Sequence, residues 1–417
     1  MKKLLAILLV LCMVMAFAAC TKTTDPVPED PANPEEPVAG ADIKIGVILV
    51  GDENEGYTYA HIEGIKKAAA DLGIKDDQIN WKYVIPETSV CYDTAVELAE
   101  MGCNIIFSNS FGHQSFMVQA AEEYPEIIFC PATGDTANVC GLANVVNLFP
   151  HTYESRYVSG IVAGMKLKEL MDNGTVTDPL VGYVGAFPYA EVVSGYTAFY
   201  LGIKSIVPEA YMEVQFTSSW FDLNKESEAA KALMARGCVI IGQHADSTGA
   251  PSAVEAALAN GTIAYSVGYN IDMLNVAPNA ALTSAQNNWS KLYYDILKAF
   301  INGEEVKHDW SGGYDEDAVM ISALGASCAA GTQEAVDAAI AGIKDGTLHV
   351  FDTNTFTVGG EAVTTRVFDF STMNADYSAV QYVGEQIECI TDGYFHESEF
   401  RSAPYFDLAI DGITKLN

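Results

Sequence analysis

Aromatic residues Tyr57, Tyr59, Phe111, Phe187, Tyr189, Trp220, Phe221 and Tyr269 recur beside Asn109, Gln114, His244, Asp246, Asn270 and Asp272 in short segments that lack helical or strand periodicity. Flat aromatic faces next to amides and carboxylates suit a planar, polar ring. Stacking on such a face contributes about 1–3 kcal/mol per ring, while amide and carboxylate oxygens accept hydrogen bonds from exocyclic amines and ring nitrogens. Any one of these aromatics taken alone could equally pack a core or a seam between lobes. Trp220 lies between Ser219 and Asp222, and Asp222 has the side chain to cap a following helix.

Other chemistry has less support. His244-Ala245-Asp246 holds two metal-ligating types, but the histidines at 61, 113, 151, 244, 308, 349 and 396 make no His-Glu-x-x-His pattern, and no cysteine pair has metal spacing. No metal or other cofactor is expected. There is no Gly-x-Ser-x-Gly elbow, no Walker loop and no Gly-x-Gly-x-x-Gly after a strand. Asp246 and Asp272 could act as a general acid and base for hydrolysis, yet carboxylates also hold ligand amines or cap helices. The expectation is a binding protein without catalytic residues.

These residues must be positioned by the elements between them. Apolar β-branched runs at 43–50, 80–84, 104–108 and 127–130 alternate with helical patterns at 59–72, 92–101 and 114–123. The second half repeats the design, with strands at 180–184, 212–216, 238–241 and 263–267 and helices at 191–206 and 226–236. Continuous apolar runs such as Ile105-Ile106-Phe107 suit strands covered on both faces, which means a parallel sheet between helices. Met101-Gly102-Cys103-Asn104-Ile105-Ile106 echoes Arg236-Gly237-Cys238-Val239-Ile240-Ile241, so two similar lobes are expected. The fold class is α/β, with two doubly wound parallel-sheet lobes and a hinge. Ligands of such sheets bind outside the carboxyl ends of the strands. That rule puts 51–58, 108–115, 186–189, 217–222, 243–248 and 269–273 on the walls of a cleft. The expected organisation is lobe 1 at 42–148, lobe 2 at 149–279, a return to lobe 1 at 280–310 and a C-terminal part at 311–417 completing lobe 2. The chain would cross between lobes near 147–150, 277–282 and 310.

Composition sets the compartment. There are 55 Asp and Glu against 22 Lys and Arg, a net charge of −33, which excludes nucleic acid as the expected partner. Lys2 and Lys3 precede an apolar run, and Phe17-Ala18-Ala19-Cys20 has small residues before a cysteine, as at the end of a secretory signal. Residues 1–19 are expected to be that signal. Cys20 would either be lipidated as a membrane anchor or be a bystander to ordinary cleavage. Five prolines among acidic residues make 20–41 an extended tether. Cys103, Cys130 and Cys238 fall in apolar stretches and read as small buried hydrophobes, and cysteine pairing stays open.

Several segments in order, Gly56-Tyr57-Thr58-Tyr59-Ala60-His61, Ser110-Phe111-Gly112, Ala132-Thr133-Gly134, Ser219-Trp220-Phe221-Asp222, Gln243-His244-Ala245-Asp246-Ser247 and Leu282-Thr283-Ser284, carry a family resemblance. From about residue 43 to 313 the chain resembles the basic-membrane-protein family of bacterial extracytoplasmic solute-binding proteins, the purine-binding branch of the type 1 periplasmic-binding fold. The resemblance implies a lipid-anchored receptor that serves an ABC permease and its ATPase. It also implies that Tyr57 and Trp220 sandwich a purine and that Asp246 lies beside the base. Phe111, Phe187, His244 and Asp272 complete the expected ligand set. Asn270 stands where the nucleoside binders have Asp, Asn287 where they have Lys, and Gln114 at the acidic base-reading position of the first lobe. These departures imply a free base such as adenine rather than a nucleoside. Two alternatives remain: an extracellular nucleoside hydrolase using Asp246 and Asp272, and a purine-sensing surface lipoprotein without transport.

Overall fold

The computed structural model describes residues 43–417, so the expectations for the signal, the tether and Cys20 lie outside the described residues. The first lobe is laid down by β1 (Ile45–Ile48), α1 (Gly56–Asp71), β2 (Ile79–Lys82), α2 (Ser89–Glu100), β3 (Ile105–Ser108), α3 (Gln114–Glu123) and β4 (Ile128–Pro131). The strands form a parallel sheet in the order β2-β1-β3-β4, with Ile45 opposite both Ile79 and Ile105. Every residue of β1 and β3 is buried, because the sheet is covered on both faces. Leu98 and Met117 pack on one face, and Ile62, Ile65, Leu292 and Ile296 on the other.

The chain leaves this lobe through β5 (Asn147–Leu148) and builds the second with α4 (Thr152–Asp172), β6 (Leu180–Gly185), α5 (Ala190–Ile206), β7 (Tyr211–Phe216), α6 (Leu223–Ala235), β8 (Ile240–His244), α7 (Gly249–Ala259), β9 (Tyr265–Tyr269) and β10 (Ala281–Asn287). Helix α8 (Trp289–Ile301) then returns to pack on α1, and β11 (Asp309–Trp310) pairs with β5 at the crossing. After β12 (Val319–Ile321) and α9 (Thr332–Lys344), a run of short strands follows, of which the last, Ile413–Lys415, lies parallel to β7. That strand closes one edge of a seven-stranded sheet whose other edge is the antiparallel β12. The two sheets are the two doubly wound lobes of the expected fold class.

Strand β10 hydrogen-bonds in the second sheet between β9 and β12, although 280–310 was expected to be the return to the first lobe. Its small buried residues Ala281, Thr283, Ser284 and Ala285 suit a strand covered on both faces, so the crossing expected at 277–282 falls at Asn288, and α8 makes the return. Helices α4 and α5 approach unusually closely. A Cβ on Gly160 would sit 2.1 Å from the Phe199 carbonyl oxygen, and one on Gly202 would sit 2.1 Å from that of Tyr157. This contact fixes the helix whose first turn faces the site.

Cys91, Cys103, Cys130, Cys140, Cys238, Cys328 and Cys389 are all unbridged, and Cys103, Cys130 and Cys238 are buried in the core. No helix among the described residues is long and apolar enough to cross a membrane.

Candidate functional site

A cavity of about 300 Å³ lies where the carboxyl ends of both sheets face each other. The first lobe contributes Val50, Gly51, Asp52, Asn54, Glu55, Tyr57, Val84, Asn109, Ser110, Phe111 and Thr133, and the second contributes Glu191, Trp220, Phe221, His244, Asp246 and Tyr269. Such a volume is at the small end of ligand pockets, which run from roughly 300 to 1,000 Å³.

The first-lobe wall is held by backbone and buried side chains. Tyr57, in the first turn of α1, donates from its hydroxyl to the Asn109 carbonyl at 2.6 Å, and its ring meets His61 edge-on at 4.4 Å and Trp289 at 6.0 Å. Asn109 accepts from the Val50 amide at 2.9 Å and donates to Thr58 Oγ1 at 3.1 Å, tying the loops after β1 and β3 together. Thr58 Oγ1 in turn donates to the Glu55 carboxylate. Burial pushes the Glu55 carboxyl up, the Thr58 bond opposes the shift and nearby Asp52 adds to it.

The second-lobe wall centres on Trp220, in the loop between β7 and α6. The Trp220 carbonyl accepts from the Asp246 amide at 2.8 Å, and its ring is braced by Phe187 at 5.3 Å and Tyr189 at 6.0 Å. Asp222 caps α6 by accepting from the Asn224 and Lys225 amides, which holds the loop's far end. Asp246 accepts from Asn270 Nδ2 at 2.6 Å; burial, and after it the carboxyls of Glu55, Glu226 and Glu191, push the Asp246 carboxyl well up, against the Asn270 bond. Asn270 holds a left-handed backbone with φ of 65°, a conformation to which asparagine is among the better adapted side chains.

A buried ionisable cluster completes this wall. His244 Nε2 is 3.3 Å from Glu191 Oε1, its ring is 4.7 Å from that of Tyr269, and burial holds its pKa well below the usual range, so the imidazole is neutral. The Arg156 guanidinium lies over the Tyr269 ring, 3.6 Å from its centroid, and donates to the Gln243 carbonyl at 2.6 Å. Burial pushes the Glu191 carboxyl up to about 7, with Arg156 pulling it down. Among the described residues no lysine or arginine lines the cavity, while the carboxyls of Asp52, Glu55, Glu191 and Asp246 do. The arrangement therefore suits a neutral, flat ligand rich in N–H donors and offers no cation to a phosphate or carboxylate.

Of the expected residues, Tyr57, Phe111, Trp220, His244 and Asp246 line this cavity. The others are turned to different uses. Gln114 Oε1 accepts from the Asp135 amide at 2.9 Å and from Thr136 Oγ1 at 3.3 Å, inside the first lobe. Phe187 stacks on Tyr189 at 5.2 Å and supports Trp220 from behind. Asn270 orients Asp246, and Asn287 accepts from Thr152 Oγ1 at 2.9 Å next to the lobe crossing. Asp272 is exposed and accepts from the Leu274 amide at 2.8 Å, so the structure does not bring Asp246 and Asp272 together across a substrate. Besides Asp52, sequence reasoning missed the carboxylates Glu55 and Glu191. Both stand at helix N-termini, where an acidic residue is unremarkable because it complements the helix dipole. Among the described residues no cluster of His, Cys, Asp and Glu could hold a metal ion.

Residues 43–340 match the sequence profile of a family described as ABC transporter substrate-binding protein PnrA-like. A purine-binding protein of Brucella abortus is 33% identical over 265 residues, covering 63% of this chain and 69% of its own. A protein of Haloferax volcanii, named provisionally for ABC-transporter glucose binding, is 30% identical over 312 residues, covering 73% of this chain and 72% of its own. Among solved structures, a solute-binding protein of an ABC transporter system from Aeropyrum pernix superposes with a TM-score of 0.64 at 16% identity, covering 74% of this chain and 93% of its own. Another from Conexibacter woesei gives 0.58 at 20% identity, covering 74% and 98%. At these identities the structural likeness speaks for the fold alone.

Proposed function

Because the chain belongs to the PnrA-like family of ABC transporter substrate-binding proteins, we propose that it captures a purine outside the cytoplasm, a free base such as adenine in preference to a nucleoside, and delivers it to an importer. The observation that carries this reading is the cavity wall: rings from both lobes, Tyr57 and Phe111 from the first and Trp220 from the second, beside carboxyls and with no lysine or arginine in the lining. Stacking would hold the ring faces, while Glu55, Glu191 and Asp246 would accept from exocyclic and ring N–H groups. The purine-binding relative supports the ligand class. Asn287, at the family's sugar-contacting position, is engaged with Thr152, and Asn270 with Asp246, which supports a base over a nucleoside.

Capture proceeds by closure. The open lobes move about the crossings at β5, β11 and Asn288, and a ligand touching both walls stabilises the closed form by its differential affinity for it. The closed protein docks on a permease whose ATPase drives uptake, and a lipid on Cys20 keeps it at the membrane. Titration with adenine, adenosine and glucose tests the reading. A second reading, a sugar ligand, is favoured by the glucose-named relative, since aromatic walls stack on sugars too. It predicts glucose binding without adenine binding.

A further inference from the structure

The family profile ends at residue 340, yet the chain continues through 345–417 into a folded outgrowth of the second lobe. Its aromatic residues extend the core of the second lobe, with Phe351 stacked on Phe406 at 4.2 Å and Tyr405 packed against Phe370 and Phe395. Its end is tied down: the last strand joins the second sheet, and Asn417 pairs with the Phe216 backbone through bonds of 2.8 and 2.9 Å. From this base a hairpin, Thr372–Met373 paired with Val380–Tyr382, reaches the first lobe beside the cleft.

The contacts there are few and specific. Arg401 Nη1 pairs with Asp135 Oδ2 at 3.3 Å, both side chains being nearly shielded from solvent. Asn138 Nδ2 and the Ser402 amide meet on Asp309 Oδ2 at 2.8 and 3.0 Å, beside the β5–β11 crossing. Tyr377, with a left-handed φ of 57°, lies nearly parallel to Phe111, ring centroids 6.5 Å apart, and Phe111 is a wall of the ligand cavity. Tyr382 touches the first-lobe core. Between the hairpin and α3 a groove of about 650 Å³ stays open along Phe116, Gln119 and Glu122. The Arg401–Asp135 and Tyr377–Phe111 contacts border a separate cavity of about 170 Å³; a polar and aromatic contact beside open space is one that forms and breaks, unlike the close-packed interior of either lobe.

We infer that residues 345–417 are a latch, carried by the second lobe, that grips the first lobe when the cleft is shut and sets how long the ligand stays. Tyr377 backs Phe111, so the grip and the cavity wall are one unit, and Arg401 with Asp135 secures the latch away from the ligand. This rests on the proposal that the lobes open and close about a ligand. None of these contacts is made through the ligand, so they also bias the empty protein toward closure.

The test uses the mature protein with Asp135→Asn, Tyr377→Ala and both together. Small-angle scattering reads the opening of the ligand-free protein, and stopped-flow Trp fluorescence reads adenine release. The latch predicts that the double variant dissociates adenine about tenfold faster with little change in association, and that its ligand-free radius of gyration rises. Tyr377 is half-exposed, so its variant leaves the fold intact even if Asp135→Asn does not. Scattering and release identical to the unaltered protein would overturn the latch. If the unaltered protein does not bind adenine, the purine reading fails, and scattering alone still decides the latch.

Discussion

If the buried carboxyl of Glu191 accepts from the ligand, binding depends on pH in a calculable way. Glu191 lies in the first turn of α5, 3.3 Å from a neutral His244, with Arg156 as the nearest cation and Asp246 facing it across the wall. Burial holds its pKa at about 7. A charged acceptor bonds an N–H roughly twice as strongly as a neutral one, so the ionised form is the better partner for a purine amine. The ionised fraction climbs from about one in eleven at pH 6 to about ten in eleven at pH 8, which raises the apparent affinity about tenfold if only that form binds. Adenine does not itself titrate in this interval. Calorimetric titration at half-unit steps from pH 5.5 to 8.5 measures the slope, and Glu191→Gln, which cannot ionise, should flatten it near the weak-binding level. A flat profile in the unaltered protein, or a slope that survives Glu191→Gln, would refute the assignment of Glu191 as the ligand's acceptor.

Trp220→Ala should weaken adenine binding by about 1–3 kcal/mol, the worth of one stacked face, while thermal melting stays near that of the unaltered protein. Unchanged affinity would remove Trp220 from the ligand. Glu226 is fully buried, accepts from the Ser247 amide, and has its carboxyl pushed by burial from 4.5 up to about 7. The folded protein therefore holds a proton that the unfolded chain releases between those values. Glu226 stabilises fully below pH 4.5, and this contribution, of the order of 3 kcal/mol, is lost as pH rises through 7. Urea unfolding from pH 5 to 8 should show that decline, and Glu226→Gln should reduce it; an undiminished decline would place the proton elsewhere. Cys20→Ser should move the protein from the membrane fraction to the soluble one, and retention in membranes would show another anchor.

The fold was legible because both sheets are covered on two faces. Runs such as Ile105-Ile106-Phe107 and Leu180-Val181 have no solvent side, and period-2 alternation is absent where burial is complete. β10 escaped because its Ala-Leu-Thr-Ser-Ala-Gln sequence is small and polar, buried by position rather than by hydropathy. The short strands after Lys344 span two or three residues each, too few for any periodicity to show. In the site, the aromatic walls Tyr57, Phe111 and Trp220 could be found because such residues are costly to leave in loops without a use. Gln114, Phe187, Asp272 and Asn287 sit in or near the same loops but point into their own lobe or out to solvent, a choice set by backbone direction that residue type does not record. Glu55 and Glu191 carried no signal because an acid at a helix start is common for reasons of the dipole alone.

Purine occupancy of the acidic, aromatic cavity underlies the proposed function. It is tested most directly by calorimetric titration of residues 42–417, unfolded and refolded to remove co-purified ligand, with adenine, adenosine, guanosine, ribose and glucose. Adenine should bind one-to-one, adenosine more weakly and neither sugar at all. Binding of glucose or ribose with no response to any purine would contradict it.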